Sequence, residues 1–362
     1  MQVAPIKVGI LVDYPTRPGA PSDMLDAIRL VLEEAVDSKM LDRPVELIER
    51  SVMGLPNGEY RLVRQAFDEL VDEGCLIIFG PYVSENVVPL RDHVEKRAEV
   101  AIITMAASEG ALGEWCFALN NGSMSDEPII LGEVMRRDGH QRIAIAYESS
   151  LIGQEYLAYS KRAYTDVGMQ IVSQVAVPQV ESDKVQAVTE LRASEPDAVV
   201  HVGFGHGLWG FNDALDAIGW DPPRYTTTAF EMAYAADVWF PHLEGWIGLE
   251  SFDERNEVGQ AFLDRFEAKY GRRRNYFTPC FGHDVGTVIA HALAAARPLT
   301  GAGVRAGMER IKLIPAASGA PGTRLRFGRF MRQGWVGNDY LVARHIPRGG
   351  TAALFHATAT GN

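Results

Sequence analysis

The chain has 362 residues, of which 47% are hydrophobic and 23% charged, and a formal net charge of −12. This is the composition of a globular protein long enough for two domains of ordinary size. The acidic balance argues against a nucleic-acid partner, because phosphate binding needs clustered Lys and Arg. No apolar stretch approaches the roughly eighteen residues of a membrane helix, so we expect a protein that is not embedded in a membrane.

The start of the chain and its cysteines bear on location. The opening segment, MQVAPIKVGILVDY, has neither a charged n-region nor a long apolar h-region and does not predict a signal peptide. Cys75, Cys116 and Cys280 are too few and too scattered for a disulfide framework or a zinc site. Taken literally, these features predict a cytoplasmic protein with free thiols. The alternative is a trimmed mature form of a periplasmic or cell-surface protein.

Apolar strands and amphipathic helices alternate along the chain. The first part predicts strands at IKVGILV, PVELIER, CLIIFG and VAIIT, and helices at about 22–37, 57–72 and from 84 onwards. The next part predicts helices at about 127–137, 154–166, 183–194 and 208–218, and strands at RIAIAY, QIVSQVAV, DAVVHV, RYTTT and GWIGLES. Two long helices, 258–270 and 281–296, and the strand-like YLVARHI follow.

This alternation predicts an α/β fold with parallel sheets and helices on both faces. Ten or so such units exceed one sheet, and FALNNGSMSDEP reads as a break, so we expect two doubly wound lobes. Ligands of open parallel sheets bind beyond the carboxyl ends of the strands. The segments of interest are therefore GPYVSEN, TMAAS, YESSLIG, VGFGHGLWG and TTTAFE.

One of these segments, GHGLWG at 205–210, matches G-x-G-x-x-G between a strand and a helix. An NAD(P)-dependent enzyme is therefore one alternative. That pattern needs an acid at the end of the next strand, but here the strand ends in TTT and Glu231 follows a further loop. Trp209 would also crowd a pyrophosphate. We favour a glycine-rich turn that lets the backbone approach some other ligand.

Catalytic signatures are missing from the sequence. It contains no Walker loop, G-x-S-x-G elbow or H-E-x-x-H motif. Asp13, Glu231, Glu250 and Asp284 could take part in acid–base chemistry, but nothing in their spacing forces them together. The expectation is a non-catalytic protein without a metal or cofactor.

Binding is better supported, by two successive strand-end loops. The loop GPYVSEN presents the start of a helix at Ser84, where free backbone N–H groups favour an anion. The loop TMAAS offers small residues and the Ser108 hydroxyl. Each serine alone could be a helix cap, but the pair favours a site for a carboxylate or carbonyl group.

These loops carry a resemblance to a known family. The run GCLIIFGPYVSENVVPLRDHVEKRAEVAIITMAAS resembles the leucine/isoleucine/valine-binding receptors of ABC importers, which have the type I periplasmic-binding fold. Similarity extends to IKVGILVDYP, RIAIAYESSLIGQEYL, PDAVVHVGFG and FGHDVGTVIAHALAAA.

The resemblance implies two lobes joined by a hinge of three crossovers, near residues 120, 250 and 328. Lobe 1 would comprise 1–120 plus 251–328, and lobe 2 would comprise 121–250 plus 329–362. The ligand would lie between the lobes and be enclosed when they close.

The resemblance also implies site residues. The family's first-lobe contacts fall on Tyr82, Ser84, Ala106, Ala107 and Ser108. In the second lobe, an aromatic contact falls on Phe204, beside Gly205, and the acid that takes the ligand's ammonium group falls near Glu231.

Two departures from the amino-acid receptors change the expected ligand. Ile152 stands where they commonly have Tyr, and Ala229-Phe230-Glu231 replaces a Pro-Glu-Gly-like loop. Together with Tyr14 and Trp209, Phe230 would line a larger, mostly apolar site for a carboxylate- or amide-bearing ligand.

Two roles follow from the resemblance. One is a solute receptor that delivers its small-molecule ligand to an ABC permease. The other is a cytosolic sensor, similar to the family's amide-sensing branch, whose closure is read by a regulatory protein partner.

Overall fold

The computed structural model describes residues 4–14, 22–179, 184–234, 239–271, 276–337 and 340–359. The chain divides into two compact units: unit 1 is Met1–Asn121 with Glu254–Gly337, and unit 2 is Gly122–Asp253 with Asn338–Asn362. The third crossover thus follows Gly337, nine residues after the expected position of 328. Residues before it still pair within unit 1, since Gln333 bridges to Ala118 and Trp335 to Leu325.

Fourteen strands are present in the described residues. They are β1 (Ile6–Val12), β2 (Val45–Ser51), β3 (Ile77–Phe79), β4 (Ala101–Thr104), β5 (Cys116–Ala118), β6 (Arg142–Glu148), β7 (Gln170–Val177), β8 (Ala198–Val202), β9 (Arg224–Thr226), β10 (Trp246–Glu250), β11 (Ile314–Pro315), β12 (Arg324–Leu325), β13 (Val342–His345) and β14 (Leu354–Thr358).

Eleven α-helices alternate with these strands in the described part of the chain. They are α1 (Asp23–Asp37), α2 (Tyr60–Asp72), α3 (Ser84–Arg97), α4 (Glu127–Arg137), α5 (Leu151–Asp166), α6 (Val185–Ala193), α7 (Phe211–Ala217), α8 (Ala229–Tyr234), α9 (Glu257–Tyr270), α10 (Phe277–Ala295) and α11 (Gly301–Met308). None of the helices in the described ranges is both long and apolar enough to cross a bilayer.

Each unit is built on its own sheet. Unit 1 has five strands in the order β2-β1-β3-β4-β5, all parallel. Unit 2 has seven in the order β14-β13-β10-β9-β8-β6-β7, in which β13 and β14 pair antiparallel and the other five are parallel. The predicted fold class, two doubly wound α/β units, is confirmed. The antiparallel edge of unit 2 is an addition that the alternation did not predict.

The central strands are buried because helices cover both faces of each sheet. β3, β4 and β8 are buried at every residue. Helix α1 packs on α10 through Gly282 and Gly286, where an added methyl group would meet Met24 or Val31. Helix–sheet packing of this kind leaves the strand-end loops as the parts of each unit free to vary.

Two predicted helices have different bounds for identifiable reasons. α10 starts at Phe277, before the predicted 281, because Pro279 lies in the first turn, where its missing N–H has no helical partner to lose. The predicted helix at 208–218 begins only at Phe211, since Gly205 and Gly210 have φ of 119° and 76° and interrupt it. A short 3-10 turn, His206–Leu208, fills the gap.

Candidate ligand-binding site

In unit 1, a sharp turn leads from β3 into α3. Gly80 has a φ of 107°, and a Cβ atom there would lie 2.0 Å from the Leu11 carbonyl oxygen. Only glycine fits this conformation and this approach. The turn brings Tyr82 and the start of α3 to the carboxyl end of the sheet, directly beside the residue that follows β1.

That residue, Asp13, occupies backbone N–H groups at the start of α3. Its buried carboxylate accepts hydrogen bonds from the Tyr82 N–H at 2.7 Å, the Val83 N–H at 3.2 Å and the Asn86 side-chain amide at 2.8 Å. Burial raises the pKa of Asp13 to about 6, against the lowering effect of these bonds. The anion that meets the N–H groups of Tyr82 and Val83 is therefore the chain's own acid. The expectation that a ligand anion meets the helix N-terminus at Ser84 stays a prediction.

The predicted cap at Ser84 is corrected. The N-cap of α3 is Val83, which makes no side-chain capping bond, and Ser84 is the first helical residue. Its side chain is 97% buried (relative exposure 3%). The Tyr82 hydroxyl is buried without a hydrogen-bond partner among the described residues. This loop thus buries one hydroxyl group that no protein atom satisfies within the described ranges.

The loop after β4 lies beside the loop after β3. The Thr104 hydroxyl donates to the Pro81 carbonyl at 2.6 Å and accepts from the Ala106 N–H at 2.9 Å, which ties the two loops together. Ala106 is buried and Ala107 half-buried. Ser108 caps a 3-10 turn, Glu109–Ala111, by accepting the Gly110 N–H at 3.2 Å. Of the two serines, Ser108 is the cap.

Tyr14 follows β1 on the same edge of the sheet. The side chain is half-buried, and its hydroxyl accepts a hydrogen bond from the Asn57 amide at 3.2 Å. Burial raises the pKa of Tyr14. The structure therefore places every predicted unit 1 residue near the carboxyl ends of β1, β3 and β4, with Ser84 in the first turn of α3 and the others in the loops.

In unit 2, the glycine-rich loop after β8 surrounds a carboxylate of the chain. Glu148, the last residue of β6, is buried and accepts from the N–H groups of Phe204, Gly205 and Gly207 at 2.8, 2.9 and 2.7 Å. A Cβ atom on Gly203 would lie 2.4 Å from this carboxylate. Because these N–H groups are occupied, they are not available to a pyrophosphate, and the dinucleotide interpretation of the glycine motif is not supported.

A series of half-exposed aromatic rings, each in contact with the next, begins in this loop. Phe204 stacks on His206 at 4.9 Å, and His206 lies 5.6 Å from Trp239. Trp209 packs edge-on against Trp239 at 4.8 Å and stacks on His242 at 4.5 Å. We call these five rings the aromatic row. Phe204 and Trp209 were predicted from the sequence, whereas His206, Trp239 and His242 were not.

Two predicted apolar residues of unit 2 lie in packed surroundings. Phe230 is fully buried in the hydrophobic core of the unit and packs against Gly248, where an added methyl carbon would lie 2.3 Å from it. Ile152, in the first turn of α5, is also buried. The bulk of Phe230 is therefore explained by core packing, without a ligand.

Glu231 belongs to a group of buried acids in unit 2. One of its oxygens, Oε1, accepts both the N–H and the hydroxyl (2.8 Å) of Ser251. The other, Oε2, is buried and has no hydrogen-bond partner among the described residues. Burial, and then the charge of nearby Glu250, raise the pKa of Glu231 well above its usual value. Burial and the neighbouring Glu250 thus disfavour the ionised form of Glu231.

Glu127, at the start of α4, is the second acid of this group. It accepts from the Thr228 N–H at 2.6 Å, the Thr228 hydroxyl at 3.1 Å and the Tyr156 hydroxyl at 2.7 Å. Burial raises its pKa to about 7, partly offset by these bonds. The sequence pattern did not single out Glu127. Within the described residues, no cluster of His, Cys, Asp and Glu has the arrangement of a metal site.

Comparisons with known proteins agree with this architecture. A family model described as periplasmic binding protein matches residues 5–338. A comparison with curated proteins finds no significant match. A type 1 periplasmic binding protein from Bordetella pertussis Tohama I superposes with a TM-score of 0.81 at 17% identity, covering 98% of this chain and 100% of that one.

Two further solved structures are similar. A branched-chain amino acid transporter substrate-binding protein from Streptococcus pneumoniae, in complex with isoleucine, has a TM-score of 0.78 at 16% identity and covers 98% and 99% of the two chains. A solute-binding protein of an ABC transporter from Rhodopseudomonas palustris, in complex with benzoate, has a TM-score of 0.74 at 18% identity and covers 98% and 96%. Identities this low show the shared fold. Because the family model matches residues 5–338 of its 362 residues, the chain belongs to the periplasmic binding protein family.

Proposed function

We propose that this protein binds a mostly apolar small molecule bearing a carboxylate or amide group and delivers it to an ABC permease, without chemistry on the ligand. The candidate binding elements are the loops after β3 and β4 in unit 1 and the loops after β8 and β9 in unit 2. The observation that carries the proposal is the buried Tyr82 hydroxyl, which has no hydrogen-bond partner in the described part of the chain and lies in the same loop as the buried Ser84.

A buried hydroxyl without a hydrogen bond costs about 1–3 kcal/mol. Native proteins rarely leave such a group without a ligand or water to satisfy it. A carboxylate or amide oxygen that accepts from Tyr82 would remove that cost. Family membership supports the same loop as a binding element, because strand-end loops are where doubly wound sheets bind ligands.

The aromatic row supports an apolar and planar ligand. Its rings are half-exposed, and aromatic faces of this kind pack well on flat apolar groups. Two of the similar structures hold isoleucine and benzoate, respectively. Of these two kinds of ligand, the row favours the aromatic carboxylate.

Glu231 supports a ligand without an ammonium group. An ionised acid would attract the ammonium of a free amino acid, but burial and the charge of Glu250 disfavour the ionised form of Glu231. Its Oε1 already accepts two hydrogen bonds from Ser251, and Oε2 is the oxygen left to carry a proton and donate it to a ligand oxygen when the acid is neutral. That role is the opposite of the one that the resemblance implied for Glu231.

Thermal shift and calorimetry with benzoate, phenylacetamide, leucine and NAD test the proposal. A ligand at about a hundred times its Kd stabilises the fold by about 2.7 kcal/mol, which corresponds to roughly 5–10 °C in Tm for units of this size. We expect such shifts from benzoate or phenylacetamide, smaller shifts from leucine and none from NAD.

The matched variants are Ser84→Ala and Ser51→Ala. Ser84→Ala should weaken binding by about 1–3 kcal/mol, since it removes a desolvated hydrogen bond. Ser51 is exposed at the end of β2 in the same unit, and its substitution should leave affinity unchanged. Equal affinities of both variants, or a shift with NAD alone, would refute the proposal.

A further inference from the structure

Unit 1 contains a cavity of about 680 Å³, away from the loops described above. It is lined by Arg305 of α11, by Glu114 just before β5, and by residues of the turn that follows β12. The candidate ligand site lies at the carboxyl ends of the strands, whereas Glu114 precedes the amino end of β5. The candidate ligand site and the cavity therefore lie at opposite ends of the strands of the same sheet.

The cavity is positively charged in a chain of net charge −12. Its lining includes three guanidinium groups, Arg305, Arg329 and Arg332, and two carboxylates, Glu114 and Glu309. Counting three positive and two negative charges leaves a net charge of +1. A local excess of positive charge in an acidic protein concentrates anions at that place.

The ion pairs do not use all of the arginine donors. Arg305 contacts Glu114 at 2.6 Å and Glu309 at 3.6 Å, but its Nε is buried without a hydrogen-bond partner among the described residues. Arg332 binds Glu309 at 2.8 Å. The contact found for Arg329 is with the Phe330 ring, 5.6 Å from its guanidinium carbon, and it pairs with no acid in the described ranges.

Two of the guanidinium groups are held in place by rings. Arg305 lies 5.0 Å from the centre of the Trp115 ring, and Arg332 lies 4.4 Å from the centre of the Phe117 ring. Stacking of this kind fixes the plane of the guanidinium fork, which matches the two oxygens of a carboxylate or phosphate. Little side-chain entropy then remains to be lost when an anion binds.

An apolar side chain, Phe330, lies at the rim of the cavity. Gly328 and Met331 exchange two backbone hydrogen bonds at 3.0 and 3.1 Å, so Arg329 and Phe330 form the tip of a tight hairpin turn. Phe330 is 89% exposed. A large aromatic ring held so far into water can cover the apolar part of a bound molecule.

We propose that this cavity is a second binding site, which takes a small organic oxyanion with its carboxylate or phosphate on Arg305 and Arg329 and its apolar part against Phe330. The site is independent of the proposed function, because none of its residues belongs to the candidate ligand-binding loops. Occupancy of one site therefore does not require the other.

Titration of the whole protein with phenyl phosphate, followed by calorimetry and by NMR, tests the proposal. We expect saturable binding that weakens with ionic strength. Arg329→Ala should weaken it about tenfold or more, the usual loss of a charged hydrogen bond. Arg305→Lys keeps the charge but loses the planar fork, and should also weaken binding. Phe330→Ala should weaken phenyl phosphate and leave inorganic phosphate unaffected.

Arg324→Ala is the charge-matched control, because Arg324 is exposed on β12 and does not line the cavity. The affinity of Arg324→Ala for phenyl phosphate should equal that of the unaltered protein. Ser84→Ala should also leave phenyl phosphate binding intact, which separates this site from the one in the proposed function. Unchanged binding in Arg329→Ala and Arg305→Lys, or equal weakening in Arg324→Ala, would overturn the proposal. A Phe330-dependent dimer with no response to phosphate would assign the cavity to a second copy and also overturn it.

Discussion

Buried carboxylates at strand ends and helix starts hold the loops of both units. Asp13 accepts from Tyr82, Glu148 from the loop after β8, and Glu127 from Thr228. The partners are 69, 57 and 101 residues apart in the chain. Local periodicity therefore predicted the loops but not what their N–H groups bind. The available signal was an acid at the last residue of a strand or directly after it, as in VDY and YES.

Glu148→Gln tests this role at one residue. A glutamine amide presents only one oxygen, so at least one of the three N–H donors of residues 204–207 would lose its acceptor. We expect the free energy of unfolding to fall by about 2–4 kcal/mol, measured by urea denaturation. Glu190→Gln, the same change at an exposed position of α6, should have almost no effect. Equal stabilities of the two variants would contradict the assigned role.

The raised pKa values of the buried acids predict a pH dependence of stability. The pKa of Glu127 is about 7, against 4.5 for a free side chain. Between these values the folded state binds more protons than the unfolded state, so stability falls as the pH rises from about 4.5 to 7, by up to about 1.4 kcal/mol per pH unit. Asp13, with a pKa of about 6, acts in the same direction at lower pH.

His201 opposes this trend. Burial lowers its pKa to about 4, so it destabilises the folded state as the pH falls below about 6.5. The contribution of Glu127 is therefore isolated by comparing Glu127→Gln with the unaltered protein by urea denaturation at several pH values. The variant should lose less stability than the unaltered protein between about pH 5 and 7. Parallel stability curves would show that Glu127 does not titrate in this range.

At the scale of elements, the helices and strands whose signal lies in neighbouring residues of the sequence were predicted well. β1, β7 and α4 have the predicted bounds, because the pattern of apolar residues is visible within each element. The prediction missed β5, α11 and β14, which are short, and it did not pair β13 with β10 or β14 with β13. Three-residue strands carry too few residues for a period, and pairing across the sheet has no local signal.

The contact of α1 with α10 is a second feature that only the structure shows. At Gly282, a Cβ atom would lie 2.4 Å from the Met24 carbonyl oxygen, whereas at Gly286 it would lie 3.0 Å from a Val31 side-chain carbon. A backbone carbonyl in a helix cannot move alone. Gly282→Ala should therefore force the helices apart and destabilise the protein by about 2–4 kcal/mol.

Gly286→Ala is the matched variant, since it gives the same gain in helix propensity, roughly 1 kcal/mol, in the same helix. Gly286→Ala should destabilise the protein less than Gly282→Ala, because the Val31 side chain can shift by a few tenths of an ångström. Thermal unfolding of both variants measures the difference. A Gly286→Ala variant less stable than Gly282→Ala would show that backbone approach is not the limiting contact.

At the scale of the whole molecule, three crossovers make each unit discontinuous in sequence. Unit 2 takes most of its sheet from Gly122–Asp253 and its last two strands from the C-terminal segment. In β10, Leu249 and Glu250 face Ala343 and Val342 of β13. The break at FALNNGSMSDEP predicted the region of the first crossover. The pairing of β13 with β10, which lies about 90 residues earlier in the chain, depends on tertiary contacts that have no local signal in the sequence.

Unit 2 should therefore need its C-terminal segment to fold. In a fragment of residues 122–253 alone, one edge of β10 would be unpaired, and the core would lack Ile346, which packs in the main cluster of the unit. An open apolar edge of this kind favours aggregation over a cooperative fold. We expect this fragment to show no sharp unfolding transition by circular dichroism.

Joining residues 338–362 to the same fragment through a flexible glycine-serine linker should restore a cooperative transition. A version with Val342→Pro is the control, because proline at this position removes a ladder N–H and disfavours a strand with neighbours on both sides. This control should unfold without cooperativity, as the short fragment does. Cooperative unfolding of residues 122–253 alone would instead show that the five parallel strands suffice, and that β13 and β14 were added to a unit already stable without them.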